Sequence, residues 1–339
     1  MPEMRVQMVS EYTVISTFAG CGGSSLGYKW AGYKEVLAVE WDSNAVETFK
    51  LNFPEVPIYH DDIRNLSGKI CLELSSMNKG ELDIFDGSPP CQGFSLSRGK
   101  RNVCDPRNDL FLEYVRLIKE LGPKIFIMEN VSGMIKGKMK GKYLEIWENL
   151  MQLNYNVKSK LMNAMWYDVP QSRERMFFIG VRKDLNIVPS FPRPLEKVIT
   201  VKEALLNVEV GLVPEFNDKY SLYYDKIKYS KSAQSIIGKG FNNCKKVHPE
   251  KPSPTLLKFQ TGRGFATTVH YSEKRALSIN EAKRLSSFPD DFKFIGGYSE
   301  QWARIGNSVM PKMMYHIAKH VKENILDCYY ATGGKPVKL

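Results

Sequence analysis

Asp86-Gly-Ser-Pro-Pro-Cys-Gln-Gly-Phe-Ser95 sets a cysteine directly behind two prolines, with glycines at 87 and 93. Proline fixes φ, so Pro89-Pro90 stiffens the approach to Cys91. Glycine permits a sharp turn on either side. A thiol held on a rigid polar loop is arranged as a nucleophile, whereas the ordinary fate of cysteine as a small buried hydrophobe suits Cys71 and Cys328 better. Glu129 closes the apolar run Ile125-Phe-Ile-Met128. A carboxylate partly desolvated at a strand end holds its proton more tightly and can act as an acid. Arg173 and Arg175 lie at alternate positions in Gln171-Ser-Arg-Glu-Arg175. In an extended chain they point to the same side, a pattern suited to gripping a phosphate or a base edge. Thr17-Phe-Ala-Gly-Cys-Gly-Gly-Ser-Ser-Leu-Gly27 is glycine-rich after an apolar run, and lets backbone approach a ligand. Its spacing is neither GxGxxG nor a phosphate-binding GxxxxGK[ST] loop. Glu40 is placed to accept from ribose hydroxyls, Trp41 to lie against an adenine face, and Asp61-Asp62 before Ile63 to add a third polar contact. Taken singly, a glycine turn can serve packing alone, strand-end acids are commonly solvated, and either arginine can pair on the surface.

The elements that must carry these residues form an α/β pattern. Short apolar runs at 12–20, 35–42, 82–88, 124–130 and 176–181 read as strands, and 109–122 as an amphipathic helix stopped by Gly122-Pro123. Such strands alternating with helices imply a mostly parallel sheet covered on both faces, with ligands at the strands' C-terminal ends. The texture changes after Val181. Residues 182–275 are rich in Lys, Tyr, Asn and Pro, and hold 17 Lys and Arg against nine Asp and Glu. That segment therefore carries eight of the chain's eleven net positive charges, which favours a polyanionic partner. Order returns in 278–292 and in a final helix over 310–330. The division expected is a large domain of 1–181 and 276–339, with a small domain of 182–275. The chain of 339 residues has no run of about 18 apolar residues and no signal-peptide pattern, so membrane and secreted classes are disfavoured. Its six cysteines show no CxxC spacing, consistent with free thiols in a reducing compartment. Histidines 60, 248, 270, 316 and 320 have no metal-ligand spacing, and no metal is expected.

In this order the pieces resemble the DNA (cytosine-5) methyltransferases over nearly the whole chain. Phe18-Ala-Gly-Cys-Gly-Gly23 matches the family's cofactor loop, Glu40 its acidic motif, and Asp62-Ile63 the next. Pro89-Pro90-Cys91-Gln92 matches the catalytic loop, and Asp105 to Phe111 the cofactor motif after it. Glu129-Asn130-Val131 matches the ENV motif and Gln171 to Arg175 the QxRxR motif. Arg284 to Asp290 and Gly306-Asn307-Ser308-Val309 resemble the last two. The PPCQG, ENV and QxRxR signals are highly specific together.

The resemblance implies a Rossmann-like S-adenosylmethionine-dependent methyltransferase fold with a smaller, irregular target-recognition domain. It implies methyl transfer to C5 of a flipped-out cytosine in duplex DNA, through a covalent Cys91–C6 intermediate. Glu129 would serve N3 and the exocyclic amine. Arg173 and Arg175 would hold base and phosphate, with Arg173 on the O2 side. Phe18, Gly20, Gly22, Gly23, Glu40, Trp41, Asp62, Ile63, Leu110, Asn307 and Ser308 would bind the cofactor. Pro89, Gln92, Ser95, Arg98, Thr255 and Arg263 would meet the DNA. The setting implied is bacterial cytoplasm, a monomer bound to the nucleoid through DNA, and a restriction endonuclease acting on the same sequence without direct contact. Four places depart from the commonest family pattern: Cys21 in the glycine loop, Asn280 for a frequent arginine, Ser286-Ser287 for Gln-Gly, and Arg304 for a frequent glutamine. Two other readings stand beside this one: the same chemistry on tRNA, and a catalytically silent nucleic-acid-binding homologue.

Overall fold

The computed structural model describes residues 11–90, 110–134, 140–214, 224–231, 233, 244–259, 261–262, 265–266 and 268–336. Cys91, Gln92, Ser95, Arg98 and Arg263 lie outside the described residues.

A seven-stranded sheet runs in the order β3-β2-β1-β4-β5-β8-β6. Its strands are β1 Tyr12–Thr17, β2 Tyr33–Val39, β3 Ile58–Tyr59, β4 Ile84–Gly87, β5 Ile125–Val131, β6 Tyr155–Asn163 and β8 Glu174–Arg182. The first five are mutually parallel, and β8 and β6 add antiparallel pairs at one side. The mostly parallel sheet read from the sequence is therefore the one found. β1 is buried at five of its six positions, which is what a β-branched run covered on both faces requires.

One face packs on α4 Leu110–Leu121, α3 Gly68–Ser75 and α5 Lys140–Met151. Tyr114 of α4 donates its hydroxyl to the carbonyls of Phe85 (3.0 Å) and Ile127 (2.9 Å), pinning the helix over β4 and β5. Gly122 ends α4 in the left-handed region at φ 61°, as its place before Pro123 suggests. The other face packs on α1 Gly23–Trp30 and on the C-terminal helix α9 Pro311–Val321. α1 and α9 approach closely at Gly27, where a Cβ would lie 2.7 Å from the Pro311 carbonyl oxygen. Between the strands and helices of the first half, α2 Ser43–Asn52 follows β2, with Asp42 as its cap through Ala45 N (3.1 Å).

The segment read as one helix over 310–330 is α9, one π-helical turn Lys322–Leu326, and α10 Asp327–Ala331. Tyr12 OH to Asp327 (2.6 Å) and Tyr330 OH to Asp83 (2.6 Å) tie this end to the N-terminal edges of the sheet.

Among the described residues from 182 to 275 the regular pieces are a 3-10 turn Lys183–Leu185, α6 Val201–Ala204 and two-residue strands: β9 Lys245–Lys246, β10 Ser253–Pro254, β11 Thr261–Gly262, β12 Phe265–Ala266 and β13 Thr268–Val269. β10 pairs with β7 Gln171–Ser172. Val201, Leu205, Val247 and Leu256 share a core with Leu277 to Leu285 and with Tyr298, Trp302 and Ile305. α7 Ile279–Leu285 and α8 Tyr298–Asn307 thus seat the basic segment. Its positive charge is not all outward: Lys246 is buried with its Nζ 3.8 Å from the centroid of the Tyr224 ring. Cys71 is buried as its neighbours suggest, but Cys328 is exposed, because it falls on the outer side of α10.

Candidate active site

The C-terminal ends of β1, β2, β4 and β5 meet at one edge of the sheet, and the singled-out residues collect there. β4 runs into Ser88-Pro89-Pro90. Ser88 Oγ donates to the Phe18 carbonyl (3.4 Å), and Asn130 Nδ2 donates to the Pro89 carbonyl (3.0 Å). The stem of the cysteine loop is therefore held from the glycine loop on one side and from the end of β5 on the other. Pro89 itself is buried.

Glu129 is 9% exposed at the end of β5, and its Oε1 lies 2.6 Å from Arg175 Nε. Burial raises its pKa; Arg175 and then Arg173 counter that effect without reversing it. This is a carboxyl group biased toward holding a proton, facing a fixed guanidinium.

Arg173 does something different. Its guanidinium is buried and donates to the carbonyls of Leu256 (3.1 Å), Gly306 (2.9 Å) and Ser308 (3.2 Å). Burial pushes its pKa well below the usual arginine value. The sequence grouped Arg173 and Arg175 as one grip; in the structure their guanidinium groups make different contacts. Arg173 falls between β7, which pairs with β10, and β8, which pairs with β5, so strand alternation is interrupted there. Arg173 straps three segments together, and Arg175 alone of the two faces Glu129. Gln171 works alongside Arg173. It is fully buried, accepts from Leu256 N (3.1 Å), and donates to the Leu285 carbonyl and to Ser286 Oγ, both at 3.2 Å. Thr255 Oγ1 donates to the Ser172 carbonyl (2.8 Å).

The glycine loop turns on left-handed residues: Phe18 at φ 55°, Gly20 at 58° and Gly22 at 92°. A Cβ on Gly20 would meet nothing within 4 Å among the described residues, which leave open space there. At Gly23 a Cβ would lie 2.3 Å from the Val309 carbonyl oxygen, so Gly23 is needed for the approach of the 306–309 segment. Glu40 is 8% exposed; Oε1 accepts from Trp41 N and Asp42 N, both at 2.9 Å, and Oε2 from Gly20 N at 2.8 Å. Burial raises its pKa in spite of those three amides. Trp41 presents its ring to solvent at 71% exposure. Asp62 caps the short turn Ile63–Asn65 through Arg64 N (2.9 Å) and also pairs with the Arg64 side chain. Ile63 is buried, Leu110 half-buried at the start of α4, and Asn307 exposed at the end of α8. An open space beside Gly20, a buried carboxylate for a diol, and an exposed indole for a purine fit a nucleoside-bearing cofactor. No group of three or more His, Cys, Asp or Glu placed to hold a metal occurs among the described residues.

Sequence reading missed the partners of the four departures. Asn280 Nδ2 donates to the Glu209 carbonyl (3.0 Å), and Ser287 Oγ accepts from Lys312 N (3.2 Å). Arg304 reaches Asp42 Oδ2 (3.0 Å), and Cys21 Sγ lies 3.1 Å from Ser308 Oγ. Only contact between distant segments reveals these pairings.

The fold and site define a cofactor-dependent α/β transferase with a buried acid at the end of β5 and a glycine loop at the end of β1. The family model for C-5 cytosine-specific DNA methylases matches residues 12–323, and the chain belongs to that family, in its bacterial restriction–modification branch. It is an S-adenosylmethionine-dependent DNA (cytosine-5) methyltransferase. Among its relatives, Type II methyltransferase M1.HphI of Haemophilus parahaemolyticus is 34% identical, covering 91% of this chain and 86% of its own length. Type II methyltransferase M.DdeI of Desulfomicrobium norvegicum is also 34% identical, covering 92% and 89%. A crystal structure of a DNA modification methyltransferase encoded within an E. coli prophage superposes with TM-score 0.77 at 26% identity, over 94% of this chain and 100% of that one. The structure of Spodoptera frugiperda DNMT2 shares the fold at TM-score 0.66 and 17% identity, over 93% and 100%. No helix among the described residues is long and apolar enough to cross a membrane.

Proposed function

We propose that methyl transfer runs through Cys91, Glu129 and Arg175 in these roles. The Cys91 thiolate adds to C6 of a cytosine turned out of the duplex, which breaks the C5=C6 π bond and makes C5 nucleophilic. Glu129 protonates or hydrogen-bonds N3 as charge develops there and accepts from the exocyclic amine. Arg175, rather than Arg173, contacts the base, because its guanidinium already borders Glu129. Bound S-adenosylmethionine supplies the methyl group that C5 takes. Loss of the C5 proton to a base or water then restores the double bond and expels Cys91.

Glu40 takes the ribose hydroxyls, Trp41 and Phe18 flank the adenine, and Asp62 and Ile63 meet its edge. The Gly20–Gly23 backbone, Leu110, Asn307 and Ser308 line the methionine end. Gln92, Ser95 and Arg98 follow the nucleophile on its loop and meet the DNA with Pro89, Thr255 and Arg263. The large domain of 1–181 and 276–339 carries the chemistry, and 182–275 reads the target through its basic surface. The enzyme acts as a monomer in the cytoplasm, opposite a restriction endonuclease of the same target sequence. The observation that carries this reading is the Glu129–Arg175 pair beside an Asn130-anchored Pro89, two residues before the thiol.

The test is a duplex with 5-fluorocytosine at the target, found by base-resolution methylation mapping. Wild type forms a covalent adduct resistant to denaturant, and Cys91→Ala forms none. Methyl transfer undiminished in Cys91→Ala overturns the mechanism. Transfer to tRNA in preference to duplex DNA overturns the substrate.

A further inference from the structure

Two of the departures from the family pattern, Cys21 and Arg304, lie in one closed ring of polar contacts. Gly20 N donates to Glu40 Oε2 (2.8 Å), and Asp42 N donates to Glu40 Oε1 (2.9 Å). Arg304 donates to Asp42 Oδ2 (3.0 Å), and the Arg304 carbonyl accepts from Ser308 Oγ (2.7 Å). Ser308 Oγ in turn lies 3.1 Å from Cys21 Sγ, and Cys21 is bonded to Gly20. The ring thus passes through the glycine loop, the end of β2, the cap of α2 and the last turn of α8. Every segment assigned to the nucleoside and methionine ends of the cofactor, apart from Asp62, Ile63 and Leu110, touches it.

Its one ionic link is the Arg304–Asp42 pair, with side chains 13% and 34% exposed. Arg304 Nε is buried and has no partner among the described residues, so reaching Asp42 leaves one donor unmatched by them. Asp42 also caps α2 through Oδ1, so this one carboxylate fixes the corner that presents Glu40 and Trp41. Glutamine, frequent at position 304 in the family, is shorter and uncharged and makes no such ion pair.

We propose that Arg304 is a positioning residue that latches the cofactor pocket of this enzyme: by holding Asp42 it fixes Glu40, and so sets how tightly S-adenosylmethionine and its demethylated product are held. The inference rests on the assignment of Glu40 and Trp41 to the cofactor. Because the pair is partly exposed, added salt weakens it, and cofactor affinity inherits that dependence.

The experiment is equilibrium binding of S-adenosylmethionine and S-adenosylhomocysteine to the full-length, DNA-free enzyme, read by tryptophan fluorescence and calorimetry between low and high NaCl. Arg304→Gln raises Kd roughly 3- to 10-fold at low salt, the size expected for one lost charge-assisted bond. It also flattens the salt dependence, while kcat at saturating cofactor stays within about twofold and only KM for cofactor rises. Asp42→Asn, which keeps the helix cap, gives the same shift, and the double variant adds nothing further. Arg304→Lys recovers part of the affinity. Wild-type Kd and salt slope in Arg304→Gln overturn the latch, as does additive loss in the double variant. Glu40→Ala separates the two layers. If it binds cofactor like wild type, the cofactor assignment fails. If it loses binding while Arg304→Gln does not, only the latch fails.

Discussion

Arg173 and Arg175 stand two residues apart and should fail in different ways. Replacing Arg173 with Met keeps the unbranched apolar stem and removes the guanidinium with its charge. The carbonyls of Leu256, Gly306 and Ser308 then lose a donor in the interior. A buried carbonyl left without a partner costs about 1–3 kcal/mol. Against that, the variant no longer buries a guanidinium, a burden visible in its strongly lowered pKa and amounting to several kcal/mol. The net expectation is a loss of about 2–4 kcal/mol. Unfolding entropy near 2.1 cal/mol/K per residue gives about 0.7 kcal/mol/K for this chain. Tm should therefore drop by about 3–6 °C. Arg175→Met removes a pair whose side chains are 16% and 11% exposed, and Glu129 can answer by taking up a proton. Its stability should change by less than about 1 kcal/mol, while methyl transfer falls about 100-fold or more. Melting curves, and single-turnover methylation run well below the lower Tm, test the pair of variants. If Arg173→Met melts with wild type, or if Arg175→Met is the less active but also the less stable, the division of labour is wrong.

Glu129→Gln should cut single-turnover methylation by about 100- to 10,000-fold while leaving the urea midpoint nearly unchanged; retained activity excludes the acid role. Burial raises Glu35 to about 7 and Asp86 to about 8, so both bind protons in the folded chain that the unfolded chain releases above about pH 4. Stability is full at low pH and is lost as pH rises through 7 to 8. Tm should fall between pH 6 and 9, and Glu35→Gln should reduce the fall; an unchanged profile counts against it. Gly20→Ala meets open space but a left-handed φ, at a cost of about 1–2 kcal/mol, and its methyl group projects into the proposed cofactor space. It should lose cofactor binding by calorimetry more than it loses Tm. Gly23→Ala strikes the Val309 backbone, and should lose both.

The strands bearing the chemistry were legible because each is a short apolar run ending in a polar motif, and a buried parallel strand has that appearance. β6 was not legible: Tyr155–Asn163 is an edge strand with Lys158 and Lys160 along it, and lysines blunt edges at the expense of the apolar signal. α8 was hidden for a related reason. Tyr298, Trp302 and Ile305 face its core, but Glu300, Gln301 and Arg304 break up the run. In the site, residue types were readable and their partners were not. Alternation placed Arg173 beside Arg175 in function, and only the change of pairing partner between β7 and β8 shows why it points elsewhere. Arg304 was visible as a departure from the family pattern, but its partner Asp42, 262 residues away at 3.0 Å, was not.

The packing of α9 against α1 and the sheet has a consequence for synthesis. One face of the sheet is complete in sequence by Arg182, yet most of its cover, Val309 to Leu326, is translated more than a hundred residues later. At about 5–20 residues per second the ribosome needs roughly 6–25 s to cross that gap. Throughout it Val14, Ile84, Ile125 and Ile127 lie on a face covered by α1 but still lacking α9. Chaperones that hold apolar surface have a defined window in which to act on this enzyme, and a ribosome stalled within the basic segment would strand a sheet with only α1 over that face.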